Sequence, residues 1–232
     1  MRTRSIAEKD HSIVHRCTAA SAFVSSAGPE LIAPTAGFYG MSAALSTNEF
    51  DEVTLRERYL AADDFPAMLA KVAKNAELWS SVWRRAQVPD EFLQRATAIG
   101  RSWHLLALSE DWCGDAVNTL PVIAKLAELS PFVHLRVLAR DENEDLMAAH
   151  LTGVSRSIPV VMALDDAFVE RGWWGPRPRE LQRWVLGPGQ QLDKVARYRD
   201  VRAWYARDHG RTTLDELLVM LEQTESERDS RV

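Results

Sequence analysis

The chain has few cysteines, no long apolar run and no excess of positive charge. Its two cysteines, Cys17 and Cys113, lie far apart and match neither a disulfide framework nor a zinc-ligand spacing. We therefore expect a reducing compartment, the cytoplasm. No stretch approaches the roughly 20 apolar residues that span a bilayer, and a formal net charge of −5 argues against a phosphate-binding surface. The sequence thus predicts a soluble protein with neither a membrane nor a nucleic acid as partner.

Metal-binding and targeting signals are weak as well. The six histidines are scattered without helical pairing or an acidic companion, so no metal site and no cofactor are predicted. Residues 1–48 are rich in Ser, Ala, Gly and Pro, which is typical of an irregular or disordered tail, and they are too weakly apolar for a secretory signal. Because Met41 begins a more ordinary segment, a second hypothesis is that residues 1–40 are an extension or a misassigned start.

The most informative segment is Trp112-Cys113-Gly114-Asp115-Ala116, where an apolar strand gives way to an amphipathic helix. Apolar spacing predicts the strand over 104–108 and the helix from about Cys113 to Leu129. At a helix start, unpaired backbone N–H groups and the helix dipole stabilise a thiolate and lower the pKa of the thiol. Asp115 favours the same helix, but its negative charge opposes a thiolate. The alternative is that Cys113 is a buried, inert core residue.

Helices and strands are predicted on both sides of this segment. Between Thr54 and Ala98 a helix capped by Asp63 or Asp64 carries one apolar stripe from Met68 to Trp83, and a second helix follows a break at 87–90. We interpret Trp79 and Trp83 as core residues, with a cofactor or peptide groove as the alternative. Downstream the pattern predicts a strand over 133–138, a helix from about 141, a hairpin of strands 157–164 and 167–174, and C-terminal helices.

This order of elements resembles the thioredoxin superfamily over about residues 102–187. The motifs that carry the resemblance are Asp111-Trp112-Cys113-Gly114 at the strand-to-helix junction and Ile158-Pro159 at the start of a later strand. The chain looks most like bacterial members with a helical N-terminal segment and a Trp-Gly-Pro-Arg-Pro segment, here Trp174–Pro178. The resemblance implies a cis bond before Pro159, close to the reactive sulfur, with the preceding backbone pairing with a substrate chain.

We therefore predict an α/β thioredoxin-like fold in which a central mixed sheet is flanked by helices. The thioredoxin-like domain is expected over 102–187, with a helical extension over 49–101 and C-terminal helices packed on the domain over 188–232. In this fold the site residues are Cys113 as the reactive thiol, Trp112, Gly114, Asp115 and Ala116 as its turn, and Ile158 and Pro159 as the substrate groove.

Three components of the dithiol thioredoxins are absent from this sequence. Ala116 stands where the resemblance places the second cysteine, Ala107 where it places a buried acid, and approximately Val137 where it places the lysine that pairs with that acid. Reduction of a substrate by two neighbouring cysteines is therefore not expected from this site alone.

The primary functional hypothesis is monothiol chemistry. Cys113 attacks a disulfide or is oxidised to a sulfenic acid, and an external thiol resolves the product; the partner is a protein or a low-molecular-weight thiol or disulfide. Cys17 is a possible resolving thiol, although an unrelated cysteine is the simpler interpretation. For the same thiol chemistry, Arg156 could attract an anionic partner, with an ordinary surface arginine as the simpler interpretation.

Two alternatives remain open. The first is a redox-inactive module in which the groove around Trp112 and Pro159 binds a protein segment, with Trp173-Trp174 as further lining. The second is a glutaredoxin-like role with glutathione or an iron–sulfur cluster, which the acidic pair Glu110-Asp111 disfavours because such sites use cationic flanks to hold carboxylates.

Overall fold

Four short helices lead into a sheet in the computed structural model, which describes residues 50–229 and, within them, all side chains except those of residues 227 and 229. The predicted tail over 1–48, the hypothesis about residues 1–40 and Cys17 lie outside the described residues. The elements in chain order are α1 (Glu52–Ala61), α2 (Phe65–Lys71), α3 (Ala76–Arg85), α4 (Asp90–Ala98), β1 (Trp103–Ser109), α5 (Gly114–Leu129), β2 (Val133–Ala139), α6 (Glu144–Ala149), β3 (Val160–Leu164), β4 (Glu170–Trp174), α7 (Arg179–Leu186), α8 (Lys194–Asp208) and α9 (Arg211–Asp229), with 3-10 turns at Arg140–Glu142 and Pro188–Gln191.

The four strands form one mixed sheet in the order β2-β1-β3-β4. The β1–β2 pair is parallel and is connected through α5, whereas β1–β3 and β3–β4 are antiparallel. Strand β3 is buried along its whole length, and β1 is buried except at His104, because helices cover both strands. This architecture confirms the predicted α/β thioredoxin-like fold. Among residues 50–229, none of the helices combines the length and the apolar character needed to cross a bilayer.

The N-terminal helices extend the edge of the sheet. The backbone N–H of Asp63 donates to the carbonyl of Val137 at 3.2 Å, and the N–H of Val137 donates to the carbonyl of Asp63 at 2.8 Å. The backbone groups of edge strand β2 are therefore partly paired by the segment between α1 and α2. This contact attaches the segment between α1 and α2 to the sheet that leads to the cysteine.

The single helix predicted through Met68 and Trp83 is wrong, because the chain breaks between α2 and α3. The carboxylate of Asp111 accepts hydrogen bonds from the backbone N–H groups of Ala73 and Lys74, at 3.1 and 2.8 Å. A distant carboxylate thus takes donors that a continuous helix would satisfy internally. Periodicity alone does not reveal this competition, since Asp111 belongs to the turn before α5.

The predicted hairpin is confirmed, and a buried carboxylate closes it. Asp165 is fully buried and accepts from the N–H groups of Ala167 and Val169, at 2.9 and 3.0 Å. Its other oxygen accepts from Arg171 at 2.7 Å. Because these bonds hold 165–169 as a turn, β4 begins at Glu170 and not at 167, where the sequence pattern placed it.

Candidate functional site

Cys113 lies where β1 has ended and α5 begins, as the residue that caps the helix. Its sulfur accepts from the N–H of Ala116 at 3.4 Å, and its thiol donates to the carbonyl of Ile158 at 3.2 Å. The peptide bond between Ile158 and Pro159 is cis. The structure therefore brings the predicted turn and the predicted groove together at one sulfur atom, although they are distant in the chain.

The thiol is protected and not activated. Cys113 is only 7 % exposed. Burial raises its pKa to about 11, and the charge of Asp115 acts in the same direction, while the N–H of Ala116 and the charge of Arg177 oppose the rise. The expectation that the helix start lowers the pKa of this thiol is wrong, because the cost of removing a thiolate from water exceeds the stabilisation by one helix end. At neutral pH the group is a protonated thiol, in agreement with its donation to Ile158.

A charged pair lies beside the thiol. The carboxylate of Asp115 forms an ion pair with the guanidinium of Arg177 and accepts from the hydroxyl of Tyr205 at 2.9 Å. Arg177 also donates to the side-chain oxygen of Gln182 at 2.6 Å. Asp115 and Arg177 are both largely buried, with side chains 14 % and 17 % exposed, and their charges act on the pKa of Cys113 in opposite directions.

Arg177 and Tyr205 were not predicted as site residues. The sequence signal for Arg177 was its place in the Trp174–Pro178 segment, but nothing in that segment shows that it faces the turn of Cys113. Tyr205 carried no signal, because an isolated tyrosine on a polar helix is indistinguishable from other surface aromatic residues. The two predicted effects of Asp115 both apply: it is in the first turn of α5, and its charge opposes the thiolate.

The turn before Cys113 is attached to the N-terminal extension. The carbonyl of Asp111 accepts from the indole N–H of Trp79 at 2.9 Å, and its carboxylate holds the break between α2 and α3. Trp79 is fully buried, which fits the interpretation of this tryptophan as a core residue. The carboxylate of Glu110 accepts from the N–H of Asp141 at 2.9 Å. Both acids before Cys113 therefore bind backbone donors.

Trp112 forms the exposed rim of the site. Trp112 is 42 % exposed, and the guanidinium of Arg140 lies 5.0 Å from the centroid of its ring. Arg140 also pairs with Asp141 at 2.7 Å and donates to the carbonyl of Arg156 at 3.2 Å. Arg156 itself lies 3.6 Å from the carboxylate of Glu144. The rim is thus an aromatic surface edged by cations that already have acidic or carbonyl neighbours.

The sequence predicts that Trp173 and Trp174 line the groove around Pro159, and the structure allows this for one of the two residues at most. Trp174 is 1 % exposed, and its indole N–H donates to the carboxylate of Glu216 at 2.9 Å, so it belongs to the interior. Trp173 is half-buried and packs edge-on against His150 at 5.8 Å.

The positions that the resemblance assigned to a proton-transfer pair are adjacent and apolar. Ala107 and Val137 are partners in the β1–β2 register, and both are buried. A carboxylate and a lysine at these positions would relay a proton, whereas two hydrocarbon side chains cannot. Within the described part of the chain, no group of three or more His, Cys, Asp or Glu side chains is placed to hold a metal ion.

The sequence profile of the family described as thioredoxin matches residues 62–198. The chain belongs to the thioredoxin family. In this thioredoxin-family protein the match includes α2 to α4, the whole sheet and the start of α8. No curated protein matches the chain.

Two solved structures share the fold of this thioredoxin-family protein. A protein of unknown function from Pseudomonas aeruginosa is 23 % identical, with a TM-score of 0.58, and the alignment covers 74 % of this chain and 96 % of that one. An HIV epitope-scaffold is 21 % identical, also with a TM-score of 0.58, and the alignment covers 72 % and 97 % of the two chains. At these identities the likeness concerns the fold and carries no function.

Proposed function

We propose that the protein carries out monothiol thiol–disulfide exchange through Cys113, with a thiol that is shielded at rest. The observation that carries the proposal is the 3.2 Å contact between the sulfur of Cys113 and the carbonyl of Ile158. Family resemblance assigns this backbone, next to the cis Pro159, to pairing with a substrate chain. A substrate that hydrogen-bonds to the carbonyl of Ile158 would therefore displace the thiol of Cys113 from that carbonyl, and the thiol would be released when the substrate is bound.

The reaction has two balanced steps. Cys113 loses its proton, and its thiolate attacks one sulfur of a partner disulfide, so that a new S–S bond forms while the other partner sulfur leaves as a thiolate. An external thiol, in its thiolate form, then attacks the partner sulfur of the mixed disulfide and releases Cys113. The net change is an exchange between the partner disulfide and the external thiol, with no net oxidation of the protein. A reducing compartment such as the cytoplasm would supply that thiol.

A second candidate is the redox-inactive module, and the burial of the sulfur favours it. In that case the groove beside Pro159 binds an extended protein segment through the backbone of Ile158, and Cys113 acts as a small buried residue. The glutaredoxin-like alternative has less support, because the acids Glu110 and Asp111 and the paired state of Arg177 leave no free cation beside the thiol among the described residues for the carboxylates of glutathione.

Reaction with a defined disulfide separates the two candidates. The variant Cys17→Ser, which keeps Cys113 as its single thiol, is incubated with a linear peptide disulfide, and the mixed disulfide is counted by intact-mass spectrometry. The controls are the double variant Cys17→Ser/Cys113→Ser and a free peptide of residues 111–116. If the protein carries out exchange, an adduct forms at Cys113, and the rate of its formation rises with pH. A protein that forms no adduct, under conditions where the free peptide is fully converted, is the redox-inactive module.

A further inference from the structure

A cleft of about 530 Å³ lies between α1 to α3, β2 and α5. It includes His104 near the start of β1, whereas Cys113 follows the end of that strand, so the cleft is separate from the thiol site. Its volume is in the range of small-molecule sites, about 300 to 1,000 Å³. Its lining includes six aromatic or cationic side chains, those of Tyr59, Phe65, Trp83, His104, His134 and Arg136.

The walls of the cleft are aromatic. The rings of Phe65 and Trp83 are 4.9 Å apart, and Tyr59 packs edge-on against His104 at 5.0 Å. Trp83 is partly exposed, unlike the fully buried Trp79 one helical turn earlier. The sequence offers a cofactor or peptide groove as the alternative role for Trp79 and Trp83. Because Trp83 lines the cleft and Trp79 is fully buried, that role is open to Trp83 alone of the two. Aromatic side chains arranged in this way favour a planar ring as the occupant.

Arg136 supplies a positive charge that is weakly engaged. Its side chain is 38 % exposed and lies 4.0 Å from the carboxylate of Asp64, and it donates to the carbonyl of Ala62 at 3.4 Å. Strong charge-assisted bonds of a guanidinium are about 2.7–2.9 Å long, and the group has five N–H donors. Arg136 also interacts with the hydroxyl of Tyr59, and its remaining N–H donors can form a two-point contact with a carboxylate.

Besides Arg136, the described part of the cleft's lining holds one unpaired polar atom and two acids. Nδ1 of His104 is buried and has no hydrogen-bond partner among residues 50–229, and its ring stacks on Phe168 at 4.3 Å. Two acids line the cleft: Asp64 caps α2 by accepting from Ala67 at 2.8 Å and lies 4.0 Å from Arg136, and Glu128 forms an ion pair with a lysine of the same helix. Arg136 is the cation that lies in the lining itself, beside the aromatic walls.

We infer that this cleft binds a planar aromatic carboxylate, with its ring among Tyr59, Phe65 and Trp83 and its carboxylate on Arg136. This inference is independent of the function proposed for Cys113, because the two sites share no residue. It assigns a ligand class to a part of the N-terminal extension that the thiol chemistry does not use.

Calorimetric titration of the full chain with 2-naphthoate tests the inference. The uncharged isostere 2-naphthamide separates recognition of the carboxylate from burial of the ring, and it needs no variant. We expect naphthoate to bind at least about tenfold more tightly than the amide, since the ion pair is lost with the charge. Equal affinity of the two compounds, or no binding of naphthoate at millimolar concentration, would overturn the inference.

Two variants locate the binding. Arg136→Gln is expected to weaken naphthoate binding at least about tenfold, and Trp83→Leu to weaken naphthoate and naphthamide alike, because one removes the charge and the other a wall. Arg156→Gln, a cation at the rim of the thiol site, serves as the matched control and is expected to leave the affinity unchanged. If Arg136→Gln binds as tightly as wild type while keeping its thermal unfolding transition, the assignment fails.

Discussion

The reactivity of Cys113 at different pH values tests how the fold controls this thiol. The thiol has a pKa of about 11 against an ordinary value of 9.0, chiefly because it is buried. At pH 7 the thiolate fraction is then about 10⁻⁴, roughly a hundredfold below that of an ordinary cysteine. A more basic thiolate is also more nucleophilic, and with a Brønsted coefficient of about 0.4–0.5 this recovers up to about tenfold. The expected net effect is a thiol about tenfold slower than a free cysteine, before steric shielding is counted.

The assay is alkylation of the Cys17→Ser variant by iodoacetamide between pH 7 and 10.5, followed by intact-mass spectrometry. The logarithm of the rate is expected to rise by about one for each pH unit over this whole range, without a plateau. A free peptide of residues 111–116, which has the same local charges but no fold, is expected to level off near the pKa of an ordinary cysteine. The double variant Cys17→Ser/Cys113→Ser controls for reaction at other side chains.

One result would refute the reasoning. If the rate for Cys113 levels off below about pH 9, the thiol is not penalised by burial as the structure indicates, and the helix start is the stronger influence after all. A profile that matches the free peptide would give the same conclusion. Such a result would also favour fast exchange over the shielded mode proposed above.

Three further predictions concern the same site. Asp115→Asn is expected to speed alkylation of Cys113 by about threefold or more, because the carboxylate raises the pKa of the thiol. Arg177→Gln is expected to slow alkylation by a similar factor, because the guanidinium lowers that pKa. Unchanged rates in both variants would contradict this prediction. Because the folded pKa of Cys113 lies above the unfolded one, its contribution to stability is complete below about pH 9 and is lost as the pH rises through about 11. Between pH 9 and pH 11, urea unfolding should show wild type losing about 2 kcal/mol more than Cys113→Ala. Gly175→Ala should cost about 3 kcal/mol or more in the same measurement, since the residue has φ +140° and a Cβ would lie 2.0 Å from a backbone carbonyl oxygen, whereas Gly114→Ala, with nothing within 4 Å, should be neutral or stabilising.

Much of the fold was predictable because its signals are local. The apolar strand before Cys113, the amphipathic α5 and the hairpin each follow from the spacing of apolar residues, and the structure contains all three. The break between α2 and α3 was not predictable, since it depends on the carboxylate of Asp111, which lies beyond two helices and a strand. Local periodicity describes which face of a helix is apolar, but not which distant group competes for its backbone.

The candidate site divides in the same way. The chemical identities of Cys113, Ala116 and Pro159, and with them the absence of a two-cysteine mechanism, are written in the order of the residues. The state of the sulfur is different, because it depends on water exclusion and on the charges of Asp115 and Arg177, which come from separate segments. A pKa reports the surroundings of a group in three dimensions, and neighbours along the chain supply only a small part of those surroundings. The start of a helix can therefore be predicted from sequence, whereas the burial and the raised pKa of the thiol at that start are decided by the tertiary structure.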